Sequence, residues 1–439
     1  MSARERFAQS APRSPEVHLF DGRHALLPNG NRIYTLSDEA YRHLQTVDAT
    51  AIADALLHMD LAAPRYVDDR APESVPLRSI SLAVAQKCNL ACTYCYAQQG
   101  DFGGAAKNMP LDVATRSIDL LLGEAAAGER FNVAFLGGEP LVNRAVLRAA
   151  TEHAASLAAA RGALVTFSIT TNGTLLVEED AAFFERHRFA VTVSVDGIGE
   201  THDRLRPAKG GRGSFDELVR RVRPLLDTQR AMQVSARVTV TPRNLALHET
   251  LDALIAMGFH SVGFSPMLRA PSGNEEMTLD DLETMLDAMV DCGQAFERAL
   301  LAGRRYPFAN MVNALREIHR GTHRPYPCGA GGGYAGVSAD GDLAACHRFV
   351  GDAAGAMGHI DRGIDPDRQK TWLHERHVHR QDPCSVCWAR YMCGGGCHHE
   401  VIERGRPACD YIRGWLDYCL GAYVRLLEGR PDWFGAGLP

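Results

Sequence analysis

The spacing of apolar and polar positions changes character twice along the chain. Residues 17–36 hold three short apolar runs, VHLF, HALL and RIYTL, punctuated by DG and NGN; from Ser37 to about Leu57 the apolar spacing becomes helical. That predicts a small α+β cap. The stretch APRYVDDRAPESVP, rich in proline and charge, reads as a linker. From Ser79, the runs SISLAVAQ, NVAFL, LVTFSIT, AVTVSV, VSARVTVT and SVGFSP alternate with amphipathic segments such as LDVATRSIDLLLGEAAA, NRAVLRAATEHAASLAAA and SFDELVRRVRPLLDTQ. A β-α unit repeated about six times predicts an α/β fold with a parallel sheet closed or partly closed into a barrel. After Gly303 the alternation fades into a segment rich in glycine and cysteine, and YIRGWLDYCLGAYVRLLEG returns to helical periodicity.

The predicted division is a disordered tail over 1–15, the cap over 16–75, the barrel over 76–303, a Cys-rich metal domain over 304–422 and a C-terminal tail over 423–439. The cap suits either of two roles, binding a leader peptide along its strand edge or covering the barrel mouth.

The ends of the predicted strands carry more chemistry than the strands. They are followed in turn by Cys88, GGEP (Gly137 to Pro140), TNG (Thr171 to Gly173), DG (Asp196, Gly197) and TPRN (Thr241 to Asn244). Any one of these is an ordinary loop; five in succession sit where parallel α/β sheets assemble active sites.

Composition narrows the function. Lys and Arg total 47 against 53 Asp and Glu, which argues against a nucleic-acid groove. The N-terminus lacks the apolar core of a signal peptide and no run reaches membrane-spanning length, so a cytoplasmic protein without a membrane partner is expected. In that compartment, grouped members of the 12 cysteines read as metal or redox sites before disulfides.

Cys88, Cys92 and Cys95 are spaced C-x3-C-x2-C on one loop. Three thiolates under-supply a structural zinc, and a disulfide uses two. A four-iron cube held by three thiolates leaves one iron open for an outside ligand. This spacing, with Tyr94 and Tyr96 flanking Cys95, GGEP after the next strand and SVDG after the fourth, resembles the radical S-adenosylmethionine (SAM) enzymes. The resemblance implies a partial (β/α)6 barrel and a [4Fe–4S] cluster on Cys88, Cys92 and Cys95 whose open iron binds SAM. It also implies SAM contacts from Tyr94, from Gly137, Gly138 and Glu139 on the amine side, and from Thr171, Asn172, Ser194 and Arg206 on the ribose or carboxylate.

A second constellation comprises Cys328, Cys346, Cys384, Cys387, Cys393, Cys397 and Cys409. Cys384 to Cys397 alone would suit a zinc knuckle. The whole set, from about Arg78 to Tyr418, resembles the SPASM domain of radical SAM peptide-modifying enzymes. That resemblance implies two auxiliary iron–sulfur clusters of the [4Fe–4S] type, the first on Cys328, Cys346 and Cys397, the second on Cys384, Cys387, Cys393 and Cys409. The first is one thiolate short: HRGTHRPYP, before Cys328, offers His319 and His323 but no cysteine. Cys292 reads as a core residue; Cys419 reads as core or as an alternative to Cys409. His398 and His399 read as hydrogen-bonding residues.

The implied chemistry is reductive cleavage of SAM to a 5′-deoxyadenosyl radical that takes a hydrogen atom from a peptide. CNLACTYCYAQQGDFGG, CWARYMCGGGCHHE and CDYIRGWLDYC look like thioether-forming maturases, the last two most like those acting on the small subunit of quinohemoprotein amine dehydrogenase. Cysteine-to-carbon crosslinking, with the carbon on an acidic residue, is the expected reaction. A formylglycine-forming sulfatase maturase, an epimerase, a carbon–carbon crosslinker and a zinc-stabilised peptide-binding scaffold are the alternatives. The expected partners are a peptide or small protein and an electron donor such as flavodoxin or ferredoxin. No general base stands out.

Overall fold

The computed structural model describes residues 1–61 and 66–435. The start of the expected linker, at 63–65, and the end of the expected tail, at 436–439, lie outside the described residues. The chain forms two compact units, each discontinuous in sequence: Met1–Ala71 with Thr278–Cys328 and His374–Pro439, and Pro72–Met277 with Gly329–Leu373.

In the first unit, residues 1–15 depart from the disordered tail expected of them. Ser2 and Glu5 form a reciprocal cap on the helix Ala3–Ser10, with the Ser2 amide donating to Glu5 Oε2 at 2.7 Å. The helix lies along another, Cys409–Gly429, and Trp388 Nε1 donates to the Ser10 carbonyl at 2.8 Å. Three antiparallel strands follow, β1 (His18–Phe20), β2 (His24–Leu27) and β3 (Arg32–Thr35), with β2 in the middle. The helical signal after Ser37 splits into Asp38–Thr46 and Ile52–His58, because the Asp48 carboxylate accepts from the Thr50 amide at 2.9 Å and diverts the backbone between them. Val17, Ala25, Leu27, Leu44, Ile52 and Leu56 form the core of this cap.

The second unit is the predicted parallel sheet. Its strands are β4 (Ser79–Gln86), β5 (Lys107–Asn108), β6 (Arg130–Gly137), β7 (Leu164–Thr171), β8 (Ala190–Ser194), β9 (Gln233–Val240) and β10 (Ser261–Pro266). All but β5 run parallel in the order β4-β6-β7-β8-β9-β10. Helices such as Leu111–Leu122, Arg144–Arg161 and Phe215–Thr228 fill the crossovers. Apolar positions that alternate along the strands, Ile80, Leu82, Val133, Phe135, Val191 and Val193 among them, are buried. Because the strands are parallel, the loops carrying Cys88, GGEP, TNG, DG and TPRN all leave the same edge of the sheet.

The sheet continues past β4 through β11 (Tyr334–Val337), parallel to β4, and then through the antiparallel β12 (Asp342–Ala344), β13 (Ala356–His359) and β14 (Gly363–Ile364). The barrel is therefore partial, with β11 occupying the edge that closure would need. This pairing corrects two expected boundaries. Residues 329–373, expected in the Cys-rich domain, join the barrel unit, whereas residues 278–303, expected in the barrel, belong to the other. The helix Leu279–Leu301 instead packs on Cys409–Gly429. The latter runs unbroken through the boundary expected at residue 422.

Candidate active site

Close backbone contact seats the cysteine loop on GGEP. The Gly138 amide donates to the Ala85 carbonyl at 2.8 Å and the Glu139 amide to the Lys87 carbonyl at 3.0 Å. A Cβ on Gly137, whose φ is +135°, would collide with the Ala85 oxygen; one on Gly138 would come within 2.6 Å of the Lys87 carbonyl carbon and 2.7 Å of Gly100 Cα. The two glycines thus have a structural reason before any cofactor is considered: only bare backbone lets the strand end lie against the residue preceding Cys88.

Glu139 is completely buried. Its carboxylate accepts from the Leu141 amide at 3.0 Å, Thr171 Oγ1 at 2.8 Å and the Asn172 amide at 2.7 Å. Burial pushes its pKa up, and these three donors pull against that. Asn172 extends the network: its Nδ2 donates to Asn89 Oδ1 at 2.9 Å and lies 3.7 Å from Cys88 Sγ, and Asn89 Nδ2 donates to Thr174 Oγ1 at 2.8 Å. Thr171 and Asn172 therefore orient Glu139 and the cysteine loop. The amide of Leu90 donates to Cys88 Sγ at 3.4 Å, the kind of contact that steadies a thiolate.

On the other side of the loop, Arg206 Nη1 donates to the Tyr94 hydroxyl at 2.6 Å and to Asp196 Oδ2 at 3.3 Å, and Tyr94 donates to the same carboxylate oxygen. Asp196 Oδ1 accepts from the Thr239 amide at 2.7 Å. Burial works against the Arg206 charge, but Cys92, Tyr94 and Asp196 outweigh it and Arg206 remains a cation. Burial pushes the Cys92 thiol up to about 12, with Arg206 pulling it down. Ser194 ends β8, half-buried and in register with Arg237, outside these hydrogen bonds. Asn89 and His202 are site residues that the sequence did not single out; Asp196 was named only as the strand-end DG and not as a partner of Tyr94 and Arg206.

His202 is buried, and its tautomer follows from its partners. Ser214 Oγ spends its proton on the Arg206 carbonyl at 2.6 Å, so His202 Nε2 donates to Ser214 Oγ and Nδ1 accepts from the Asp196 amide at 3.2 Å. Burial, with Arg206 nearby, depresses its pKa from 6.5 to about 3. The unfolded chain therefore binds this proton first. Stability contributed above pH 6.5 should be lost as pH falls toward 3, at about 1.4 kcal/mol per pH unit from this residue. Denaturant unfolding of His202→Gln beside the parent at pH 7 and pH 5 measures it; the gap between them should narrow at the lower pH.

Cys88, Cys92 and Cys95 lie close enough for their charges to interact. Among the described residues no three Cys, His, Asp or Glu side chains converge as they would on a single metal ion. A cube suits this spacing better, since each thiolate binds a different iron at a different corner. Three partly buried thiols on one loop and an adjacent buried cation, Arg206, fit a cluster with one open iron.

The family model described as the radical SAM superfamily matches residues 82–254. The serine-type anaerobic sulfatase-maturating enzyme of Bacteroides thetaiotaomicron is 32% identical over 393 residues, 79% of this chain and 90% of that one. The chain belongs to the radical SAM superfamily. Two solved structures show the same fold. One is anSMEcpe with bound AdoMet, with TM-score 0.68, 20% identity and coverage of 83% of this chain and 98% of that one. The other is Streptococcus suis SuiB bound to precursor peptide SuiA, with TM-score 0.54, 14% identity and coverage of 90% and 97%. This protein is thus a radical SAM enzyme of the peptide- or protein-maturase kind, with SAM and a [4Fe–4S] cluster as cofactors. No helix among the described residues is long and apolar enough to cross a membrane.

The remaining cysteines of this radical SAM enzyme are distributed unevenly. Cys384, Cys387, Cys393 and Cys409 fall within one unit and close enough for their charges to interact. Burial pushes the Cys384 thiol up to about 12. After Cys393, Gly394, Gly395 and Gly396 all take positive φ, at +71°, +97° and +80°, and the Gly395 and Gly396 amides donate to the Cys393 sulfur. Two backbone amides converging on one sulfur favour its anionic form. Cys409, rather than Cys419, joins this set. Cys419 is fully buried, with its Sγ 3.9 Å from Met311 Sδ. Cys292 is buried too, as expected. Cys328 and Cys397 belong to the same unit as the four; Cys346 belongs to the barrel unit, near Tyr96. His319 Nδ1 bonds the Tyr423 hydroxyl at 3.2 Å and His323 tilts against Tyr391. His398 is buried, its pKa lowered to about 4 by burial, Arg376 and Arg406.

Proposed function

We propose that this radical SAM enzyme forms thioether crosslinks from cysteine sulfur to a carbon of another residue, one bearing a carboxylate side chain, in a ribosomally made peptide. Cys88, Cys92 and Cys95 hold the first cluster, and Glu139 faces the SAM amine. Tyr94, Gly137, Gly138, Thr171, Asn172 and Ser194 complete the SAM site, and Arg206 meets the SAM carboxylate. When bound, SAM and this cluster supply a 5′-deoxyadenosyl radical. The single observation that carries the assignment is the buried Glu139 carboxylate and the buried Arg206 guanidinium joined to one cysteine loop, opposite charges suited to an ammonium and a carboxylate.

Per crosslink the peptide gives up a hydrogen atom from carbon, a proton from the thiol and one electron. Cys384, Cys387, Cys393 and Cys409 hold an auxiliary iron–sulfur cluster able to take that electron. The cap over 16–75 binds the peptide's leader by strand addition to β3, an edge strand of its sheet. A flavodoxin or ferredoxin supplies reducing electrons.

The second reading is oxidation of serine or cysteine to formylglycine, favoured by the similarity to the Bacteroides sulfatase-maturating enzyme. Synthetic peptides carrying one cysteine near Asp or Glu, incubated anaerobically with the reconstituted enzyme, SAM and dithionite, separate the two. Crosslinking removes two hydrogens and leaves the cysteine unreactive to alkylation. An aldehyde, formed at a serine with the cysteine still open to alkylation or at the cysteine with loss of its sulfur, supports the second reading. Deoxyadenosine without either product contradicts both for those peptides.

A further inference from the structure

Two guanidiniums lie near the four-cysteine set, Arg406 beside Cys384 and Cys409 and Arg413 beside Cys409, with the Asp410 carboxylate opposing them at Cys409. Arg406 spans the two turns that carry the ligands. Its Nε donates to the Asp382 carbonyl at 3.2 Å, Nη1 to the Gly395 carbonyl and Nη2 to Gln381 Oε1. Every one of these acceptors is neutral, so the hydrogen bonds hold the guanidinium without cancelling its charge. The backbone carbonyl of Gln381 in turn accepts from the Ser385 amide at 3.0 Å, tying Arg406 to the turn that begins at Cys384.

Arg413 lies four residues after Cys409 in the same helix, so the two side chains share a face and Arg413 leans toward the helix start. It is 8% exposed, and its carboxylate partner, Asp410, is half-exposed to solvent, which screens the pair from outside. Cys409 is the first residue of a 21-residue helix, whose positive end adds to the same field. Arg376 stands near Arg406 as a further like charge. At the Cys88 to Cys95 loop the balance is reversed: one buried guanidinium, Arg206, meets two buried carboxylates, Asp196 and Glu139.

A cluster gains negative charge when reduced, so nearby cations favour the reduced form, and net charge, sulfur hydrogen bonds and exposure set its potential. We propose that Arg406 and Arg413 raise the reduction potential of the cluster held by Cys384, Cys387, Cys393 and Cys409 above that of the SAM-binding cluster, which suits it to take one electron from the peptide radical. The peptide radical loses one electron and the cluster gains it; no other oxidant enters the step. This rests on the ligand assignment proposed above. Arg406 and Arg413 are positioning residues, acting through the cluster without touching the peptide.

The test is potentiometric titration, followed by electron paramagnetic resonance, of the full reconstituted chain and of Arg406→Gln, Arg413→Gln and Arg413→Lys. The SAM-binding cluster is recognised by its spectral response to added SAM. Each Gln variant should lower the midpoint of one SAM-insensitive cluster by about tenfold in its reduction equilibrium, or 59 mV for one electron. Arg413→Lys should keep the parental value, and the SAM-sensitive midpoint should stay in place. If Arg413→Gln takes up less iron, Arg406→Gln and Arg413→Lys carry the same comparison. Unmoved auxiliary midpoints at full iron content overturn the proposal, as does a Lys variant that shifts as far as the Gln variant. A parent chain that takes up only one cube overturns the ligand assignment itself, a failure distinguishable by iron content alone.

Discussion

Glu139→Gln should weaken SAM binding by at least 10-fold and lower the stability of the chain itself. The carboxylate accepts three hydrogen bonds in a completely buried position. An amide of the same shape has one oxygen, so its NH2 must face either the Asn172 amide or the pair formed by Leu141 and Thr171. At least one buried donor is then left without an acceptor, at a cost of about 1–3 kcal/mol. Loss of the negative charge also removes the partner proposed for the SAM ammonium, worth about 1.5–3 kcal/mol for a charged hydrogen bond. Equilibrium dialysis against SAM and denaturant unfolding measure the two effects separately. Unchanged affinity would remove Glu139 from the SAM site; unchanged stability would contradict its three-donor cradle.

Gly138→Ala should be more damaging, although it adds one methyl group far smaller than any cofactor. Its Cβ would meet the Lys87 carbonyl and Gly100 Cα, both main-chain groups that cannot swing aside. Relief requires GGEP and the cysteine loop to part, breaking the hydrogen bond from the Glu139 amide to Lys87. A loss of about 1–3 kcal/mol is expected from overpacking alone, with uptake of the first cluster reduced because Cys88 directly follows Lys87. Iron content and thermal unfolding of the variant check this. Parental values for both would show that the loop is not seated as described.

The sequence made the barrel legible because its strands are short β-rich runs with alternating apolar positions: SISLAVAQ and SVGFSP coincide with β4 and β10 to the residue. The chemistry was legible at the strand ends for the same reason, since parallel strands send their following loops to one edge. Pairing across long sequence separations left no comparable mark. Tyr334 pairs with Ser79 through backbone hydrogen bonds that no side-chain pattern announces, so residues 329–373 were placed with their cysteine-rich neighbours. The helix Ala3–Ser10 was missed because its polar composition reads as a tail, although Ser2 and Glu5 carry the spacing of a capping box.

Within the site, Cys88, Cys92, Cys95 and Glu139 were visible as motif residues, and Thr171, Asn172 and Arg206 as candidate contacts, but the hydrogen bonds that join them were not. Asn89 and Asp196 act through short hydrogen bonds to residues some 85 and 100 positions distant. Arg406 and Arg413 look like surface charge in sequence, and only their nearness to Cys384 and Cys409 gives them a role. The glycines of GGEP show the converse: a residue pair expected at the cofactor is first required by main-chain contact.

The most direct test of the site assignment is iron and zinc content per chain after anaerobic purification, for the parent and for a variant with Cys88, Cys92 and Cys95 all changed to alanine. The expected result is about three four-iron cubes in the parent, falling by one in the variant together with loss of 5′-deoxyadenosine formation from SAM. Stoichiometric zinc with little iron, or a variant that keeps its full iron and still cleaves SAM, would contradict it.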